Sequence, residues 1–276
     1  MRLFDSHCHI QNRAFDADRS AVLARARVAG VVEMVVVGED EGSSRVAVDL
    51  SAADPDLWAA VGLHPHEARR ADEGWFATLG QLARAPKVVA VGEIGLDYHY
   101  DRSPREIQRA VFRRQLEVAS ACDLPVVIHS RAAETDTSEI LAAWVRERGR
   151  GDGAPLGVMH CFGYDVAAME RFVALGFMIS IPGTVTFAKA DEVRAVAGVT
   201  PDDALLVETD APVLAPQPHR GRRNEPGYLV ETAKTVAALR GVSLARLAEL
   251  TSANAHRLFR LPAGSRAAGG AEGVPA

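Results

Sequence analysis

The feature that most constrains the fold is a set of eight short apolar runs, which recur about every 20 to 35 residues, the length of one βα unit. The runs cover 3–10, 31–38, 57–64, 88–95, 124–130, 156–162, 177–183 and 204–210. Their near-continuous valine, isoleucine and leucine content is typical of strands buried on both faces of a parallel sheet. Helix-like stretches separate the runs, so the sequence predicts a (β/α)8 TIM barrel. A doubly wound open sheet is the alternative, because repetition alone does not establish that the sheet closes.

One predicted helix between the fourth and fifth runs has a clear start signal. Ser103 is followed by Pro104 and Glu106, which predicts a serine N-cap, a proline at the first helical position and a capping glutamate. Apolar residues then recur at helical spacing, at Ile107, Val111, Val118 and Cys122. The stretch is therefore predicted to be an amphipathic helix.

Length and composition fit one globular domain. The chain has 276 residues, of which 48% are hydrophobic and 24% are charged. The barrel domain is predicted to span 1–261, and the glycine-, alanine- and proline-rich segment 262–276 is predicted to be a disordered tail. No apolar run approaches the roughly 20 residues of a membrane span, and no signal peptide is recognisable. With three cysteines and no Cys-X-X-Cys motif, the protein is expected to be cytoplasmic, with no membrane and no obligate protein partner.

Residues of the types that bind divalent metals lie at the carboxyl ends of the runs. His7 and His9 end the first run, in the segment MRLFDSHCHI, where strand alternation directs both imidazoles to one side. The others are His64, Glu93, His129, His160 and Asp210. Barrel enzymes place their catalytic groups at this end. A single histidine here is more often bound to a backbone group, whereas a carboxylate at the end of a buried strand costs several kcal/mol unless it binds a partner or a cation. The combination predicts a metal site.

The number of candidate ligands indicates how many ions bind. Even without His64, the four histidines and two carboxylates are too many for one tetrahedral ion that keeps an open position. The set fits two divalent ions roughly 3.5 to 4 Å apart that share a bridging carboxylate and a bridging water, as in metal-assisted hydrolysis. Because no cysteine belongs to the set, Mg, Mn and Zn are all possible.

Two neighbours of the ligand set carry structural predictions. Alternation along a strand turns Cys8 away from the histidines on either side of it, and Cys161 away from His160. Glu208 shares a face with Asp210, one layer deeper, and is expected to pair with an arginine or histidine that the sequence does not identify.

A cationic loop follows the eighth run. It has the sequence PQPHRGRRNEPG and carries Arg220, Arg222 and Arg223. Barrels often bind phosphate around the loops after strands seven and eight, and arginine binds phosphate oxygens through two parallel hydrogen bonds. Arg131, two residues after His129, is expected to share its face and is a fourth candidate phosphate contact. A solvated charged loop is the alternative. Since the net charge is -5, any contact with phosphates has to come from such a local cluster.

Seven segments together resemble the TatD-type metal-dependent deoxyribonucleases of the amidohydrolase superfamily. They are DSHCHI, GLHPH, GEIGLDY, PVVIHSR, HCF, ETDAPVLAP and HRGRRNEP, in this order over 1–260. The resemblance implies a (β/α)8 barrel with two metal ions that share Glu93. It implies one ion on His7, His9, Glu93 and Asp210 and the other on Glu93, His129 and His160. His64 is implied as a substrate contact.

The resemblance and the residues together predict hydrolysis of DNA phosphodiester bonds, as a 3′–5′ exonuclease that prefers single-stranded ends. Glu93 and Asp210 are the predicted catalytic residues, with Asp210 taking the proton of the attacking water. One alternative is a metal-dependent amidohydrolase acting on a small amide or ester, in which the arginine loop has no evident role. A metal-binding module without activity is the other, although such a module has no need of an open two-ion centre.

Overall fold

The computed structural model describes residues 1–149 and 153–262, and its centre is one eight-stranded parallel sheet. Each strand pairs with the next one in the chain. The strands are β1 (Leu3–Cys8), β2 (Val31–Val37), β3 (Leu57–Val61), β4 (Val88–Asp97), β5 (Val126–Arg131), β6 (Gly157–Met159), β7 (Phe177–Ile181) and β8 (Leu205–Val207).

Hydrogen bonds between the first and last strands close the sheet into a nearly complete barrel. The hydroxyl of Ser6 in β1 donates to the carbonyl of Val207 in β8 at 3.0 Å. Beyond the strand ends, the backbone N–H of His9 donates to the carbonyl of Ala211 at 2.8 Å. The predicted TIM barrel is therefore confirmed, and the open sheet is excluded.

Nine α-helices of the described residues alternate with the strands and cover the barrel. They are α1 (Arg19–Ala29), α2 (Glu41–Ala53), α3 (Glu73–Leu82), α4 (Arg105–Ala121), α5 (Glu134–Arg148), α6 (Val166–Ala174), α7 (Asp191–Val199), α8 (Leu229–Arg240) and α9 (Leu244–Leu258). None of the helices in the described ranges is both long and apolar enough to cross a membrane.

The barrel interior is apolar at the end where the strands begin. Inward side chains such as Phe4, Val35 and Val127 form one buried cluster with Leu258 and Phe259 at the end of α9. The rings of Phe4 and Phe259 stack at 6.1 Å between centroids. This cluster fills the barrel at the amino ends of the strands, so the carboxyl ends are the face on which polar groups can meet.

A register irregularity in β1 sets the direction of its metal-type side chains. Asp5 pairs with Met34 and Cys8 with Val36, so β1 has one residue more than β2 over this interval. Cys8 consequently lies in the apolar layer between barrel and helices, with its Sγ 3.4 Å from the carbonyl oxygen of Val35. The prediction that Cys8 faces away from the histidines is confirmed.

Glycines allow β4 to lie very close to both neighbouring strands around Glu93. A Cβ at Gly62 would lie 3.0 Å from the backbone nitrogen of Glu93. A Cβ at Gly95, whose φ is 140°, would collide with the carbonyl oxygen of His129. The close approach is compatible with direct contact between the side chains of Glu93 and His129.

The predicted helix between β4 and β5 is confirmed as α4, but the predicted N-cap is wrong. The helix begins at Arg105, with Pro104 at the N-cap position. The Ser103 hydroxyl instead donates to the carbonyl of His66 at 2.9 Å and accepts from the N–H of Arg69 at 3.1 Å. This hydroxyl therefore holds the loop after β3 rather than the helix.

Residues 263–276 lie outside the described residues, so the disordered tail over 262–276 stays a prediction. The domain boundary at residue 261 likewise stays a prediction.

Candidate metal centre and active site

Side chains from six different strand ends meet around one cavity of about 560 Å³. His7 lies within β1 and His9 just after it, while Glu93 and His129 lie within β4 and β5. The others follow their strands by one to three residues, and they are His64 after β3, His160 after β6 and Asp210 after β8. Most of these residues are buried, and His129 is partly exposed. The structure thus brings together all seven metal-type residues that the sequence singled out.

Glu93 lies at the centre of this cluster, and its two carboxylate oxygens face different imidazoles. Oε2 lies 3.5 Å from Nε2 of His7 and 3.7 Å from Nε2 of His9. Oε1 lies 2.8 Å from Nδ1 of His129 and 2.8 Å from Nε2 of His160. This is the arrangement expected of a carboxylate that bridges two cations.

Asp210 completes the side of the cluster formed by β1. Its Oδ1 lies 3.3 Å from Nε2 of His9 and 3.9 Å from Nε2 of His7. Its backbone N–H donates to the carbonyl of His7 at 3.0 Å, and its φ of 54° lies in the left-handed region that aspartate tolerates better than most residues. The loop after β8 is thereby held against the end of β1.

His64, which was predicted to be a substrate contact, lies among the candidate metal ligands. Its Nε2 is 3.4 Å from Oε1 of Glu93, and its Nδ1 accepts from the N–H of His66 at 3.2 Å. Together with Glu93 and His129 it forms one of three groups whose ligand atoms lie within 4.8 Å of one another. The other two groups are His7, His9 and Glu93, and His7, His160 and Asp210.

The donor set fits divalent metal ions. Nε2 of His7 lies 3.1 Å from Nε2 of His9, and Nδ1 of His129 lies 3.4 Å from Nε2 of His160. Each pair of buried ring nitrogens converges beside a carboxylate oxygen, and Nδ1 of His7 has no hydrogen-bond partner in the described residues. Imidazole nitrogen with carboxylate oxygen is a ligand set that Zn and Mn accept, and carboxylate oxygen is the ligand type that Mg prefers.

The charge state of the cluster also favours cations. Burial raises the pKa of Glu93, but the electrostatic interactions with His160 and His64 lower it by more. The pKa of this carboxyl is therefore held well below its usual range. Burial likewise opposes protonation of His9, yet Glu39 and the other carboxylates raise its pKa to about 10. The pKa of His64 falls to about 4, chiefly because of burial. The carboxylates thus stay ionised in the buried site.

Two of the histidines have an oxygen atom close to their outer nitrogen. Nδ1 of His9 lies 2.8 Å from the carbonyl oxygen of Val37. Nδ1 of His160 lies 3.3 Å from Oε1 of Glu208, which also accepts from the N–H of Cys161 at 2.6 Å. Such outer contacts fix the tautomer and the ring orientation of a metal-binding histidine. The expected histidine or arginine partner of Glu208 is therefore His160.

Sequence reasoning missed Asp97, which orients a third histidine. Its Oδ2 lies 3.2 Å from Nε2 of His129 and 3.0 Å from Nε2 of His66. Its Oδ1 accepts from the N–H of Tyr100 at 2.8 Å, and its own N–H donates to Gln108 at 2.8 Å. The residue stands in the segment GEIGLDY, four positions after Glu93 at the end of β4, and this position was the available signal.

We predict that Asp97→Asn weakens metal binding about 10- to 100-fold. An amide has only one acceptor oxygen, so it cannot face the rings of His129 and His66 with one oxygen and accept from the N–H of Tyr100 with the other. Metal titration of the purified variant measures the change. Asp136→Asn is the matched control, because Asp136 binds Tyr98 and Arg109 beside the site rather than a histidine of the cluster. Equal metal affinity in both variants would show that Asp97 does not support the centre.

The prediction that Cys161 faces away from His160 is wrong, since both residues line the cavity. The sixth run was predicted to be a strand to residue 162, whereas β6 ends at Met159. Cys161 has a φ of 45°, so strand alternation does not apply to it.

The four candidate arginines occupy different environments. Arg131 lines the cavity. The Arg220 guanidinium lies 4.4 Å from the ring centroid of Phe187, and Arg222 is exposed. Arg223 donates to both carboxylate oxygens of Asp18 at 2.8 Å. The structure therefore does not bring Arg223 to the cavity, and its guanidinium anchors the loop after β8 to the segment before α1.

Comparison with known proteins shows similarity along almost the whole chain. Residues 4–260 match the family model described as TatD related DNase. The chain is 39% identical over 259 residues to a Bacillus subtilis protein named uncharacterized metal-dependent hydrolase YabD, with 94% of this chain and 99% of the relative covered. It is 36% identical over 265 residues to a Pectobacterium atrosepticum protein named 3′-5′ ssDNA/RNA exonuclease TatD, with 94% and 100% covered.

The fold is also that of a solved relative. The crystal structure of YJJV, a TatD homologue from Escherichia coli K12, superposes with a TM-score of 0.87 at 33% sequence identity. The superposition covers 95% of this chain and 99% of that chain.

Proposed function

Because the chain belongs to the TatD family of metal-dependent hydrolases, we propose that it hydrolyses phosphodiester bonds of DNA, as a 3′–5′ exonuclease acting on single-stranded ends. The name of the Pectobacterium relative supports a single-stranded polynucleotide substrate. The observation that carries the proposal is the position of Glu93, whose two oxygens face separate sets of imidazoles at the open end of the barrel.

The cluster divides into two sets of ligands in this proposal. One ion would be held by His7, His9, Glu93 and Asp210, and the other by Glu93, His129 and His160. Divalent ions in such a pair lower the pKa of a water molecule towards neutrality and offset charge that builds on the phosphate oxygens. Mg, Mn and Zn are all compatible with these donors.

Asp210 is the proposed proton acceptor. It lines the cavity, and one of its oxygens is directed at His9 and His7. A carboxylate has a second oxygen, which can take a proton from the attacking water. Burial raises the pKa of Asp210, but contacts with His9 and His160 lower it by more, so this pKa lies below its usual range. The side chain is therefore ionised and able to accept a proton at neutral pH.

Substrate contacts in this proposal come from a small number of residues around the cavity. Arg131 reaches it directly, Arg220 and Arg222 lie on the loop after β8, and His64 lies beside Glu93. With a net charge of -5, the surface as a whole repels DNA. A strand end that enters the cavity contacts roughly two to four phosphates, which gives a shallow salt dependence.

The experiment that tests this proposal compares linear and circular single-stranded DNA of the same sequence in the presence of Mg, Mn or Zn. We expect degradation of the linear strand, protection by a 3′ block and no cleavage of the circle. A duplex end is expected to react more slowly, because unpairing costs a few kcal/mol. Efficient cleavage of the circle would replace the exonuclease with an endonuclease. Inhibition by inorganic phosphate separates either activity from hydrolysis of a small amide.

A further inference from the structure

Tyr100 stands at the mouth of the cavity with an unusual degree of exposure for an aromatic residue. It lines the cavity together with Arg131, and 53% of its surface is exposed. No other phenylalanine, tryptophan or tyrosine in 1–149 or 153–262 is as exposed. A tyrosine that is apolar on its ring and open to solvent beside a binding site is typical of a recognition surface.

Two arginines lie against the ring of Tyr100. The guanidinium carbon of Arg131 is 4.9 Å from the ring centroid, and that of Arg102 is 5.5 Å from it. Within the described ranges no salt bridge joins either guanidinium to a carboxylate, whereas Arg105 and Arg109 nearby pair with Asp101 and Asp136. Arginines beside an aromatic ring that have no acidic partner are suited to phosphate groups on either side of a stacked base.

The position of Tyr100 relative to the metal centre is fixed through Asp97. The N–H of Tyr100 donates to Oδ1 of Asp97, whose other oxygen contacts His129 and His66. The His66 ring also meets the Tyr100 ring edge-on, at 5.5 Å between centroids. A group bound on Tyr100 is therefore held at a fixed position relative to a group bound at the histidine and carboxylate cluster.

We propose that Tyr100 is a stacking platform for one unpaired nucleobase of the substrate, and that Arg102 and Arg131 contact the adjacent phosphates. This inference rests on the proposed nuclease function. It adds that the protein recognises a polynucleotide by its base as well as by its phosphate, without regard to which base is present, since every base has a face that can stack. A paired base cannot reach the ring, which gives a reason for preference of single strands.

The kinetic test uses a short single-stranded oligonucleotide and its analogues with an abasic site at the terminal or the penultimate 3′ position. Tyr100→Ala is expected to raise KM about tenfold on the intact strand while kcat is unchanged, and Tyr100→Phe is expected to behave as the wild type. The abasic site that removes the stacked base is expected to raise KM for the wild type by a similar factor. The same abasic site is expected to leave KM for Tyr100→Ala unchanged. Equal losses with intact and abasic strands would overturn the proposal.

A second test does not depend on turnover. Metal-free protein is titrated into an oligonucleotide that carries 2-aminopurine near its 3′ end, because stacking quenches this fluorophore. Quenching by the wild type and by Tyr100→Phe, but not by Tyr100→Ala, supports the platform, and equal quenching or none with all three overturns it. If the wild type degrades no oligonucleotide with any of the three metals, the nuclease proposal fails and this measurement still decides the role of Tyr100.

The role of the arginines is tested by the salt dependence of the same binding. Arg102→Ala and Arg131→Ala are each expected to weaken binding and to reduce the slope against log salt by about one unit or less. Arg146→Ala is the matched control, because this exposed arginine lies in the last turn of α5, at the opposite end of the barrel. Identical slopes for all three variants would remove the arginines from the proposal.

Discussion

Replacement of Glu93 by alanine is expected to abolish binding of at least one divalent ion and to lower hydrolytic activity by at least about 10³-fold, from the several kcal/mol that metal ions contribute to the transition state. The reason is geometric, because one oxygen of its carboxylate faces nitrogens of His7 and His9, and the other faces nitrogens of His129, His160 and His64. Elemental analysis of the purified variant and a nuclease assay measure the two effects. The fold is expected to persist, since the apolar layers do not depend on Glu93.

A matched control for this variant lies at the other end of the barrel. Glu33 in β2 is also a strand carboxylate paired with a histidine, and its Oε2 lies 2.5 Å from Nε2 of His256. Glu33→Ala is expected to keep the wild-type metal content and activity. If Glu93→Ala still holds as many ions as the wild type, the assignment of Glu93 as the bridging ligand is wrong.

The fold was predictable because a parallel barrel leaves a strong pattern in the sequence. Each strand is buried on both faces and reads as a continuous apolar run, and the helical stretches between the runs fix the βα repeat. Closure of the barrel was not visible in the repeat. It depends on contacts between residues some 200 positions apart, such as the hydrogen bond from Ser6 to Val207.

The cluster of metal-type residues was predictable for a related reason. Parallel strands in a barrel end on one face, so polar residues at those ends are neighbours even when they are far apart in the chain. The rule also covers Asp97, which ends β4 within the segment GEIGLDY but was missed. Only the structure shows that its carboxylate faces His129 and His66.

Besides the Ser103 N-cap, the structure corrected predictions that were based on strand parity or on charge alone. Parity held for Cys8, which lies within a strand, and failed for Cys161, which follows a strand that ends early. The arginine loop contains cations with different roles, because Arg223 is neutralised by Asp18 whereas Arg222 is exposed. A sequence shows where charges are, but their partners depend on tertiary contacts.

Asp210→Asn is expected to lower kcat about 10²- to 10⁴-fold, the contribution of a positioned general base, while KM for single-stranded DNA changes little. Asparagine keeps an oxygen that can face His9 and His7, so most of the bound metal is expected to remain. The comparison with Asp97→Asn separates the role of a general base from a role in metal binding. A defect that arises from weak metal binding recovers at saturating metal, as expected for Asp97→Asn, whereas loss of a base does not. Recovery of Asp210→Asn by added metal would therefore leave Asp210 as a ligand only and require another group to accept the proton.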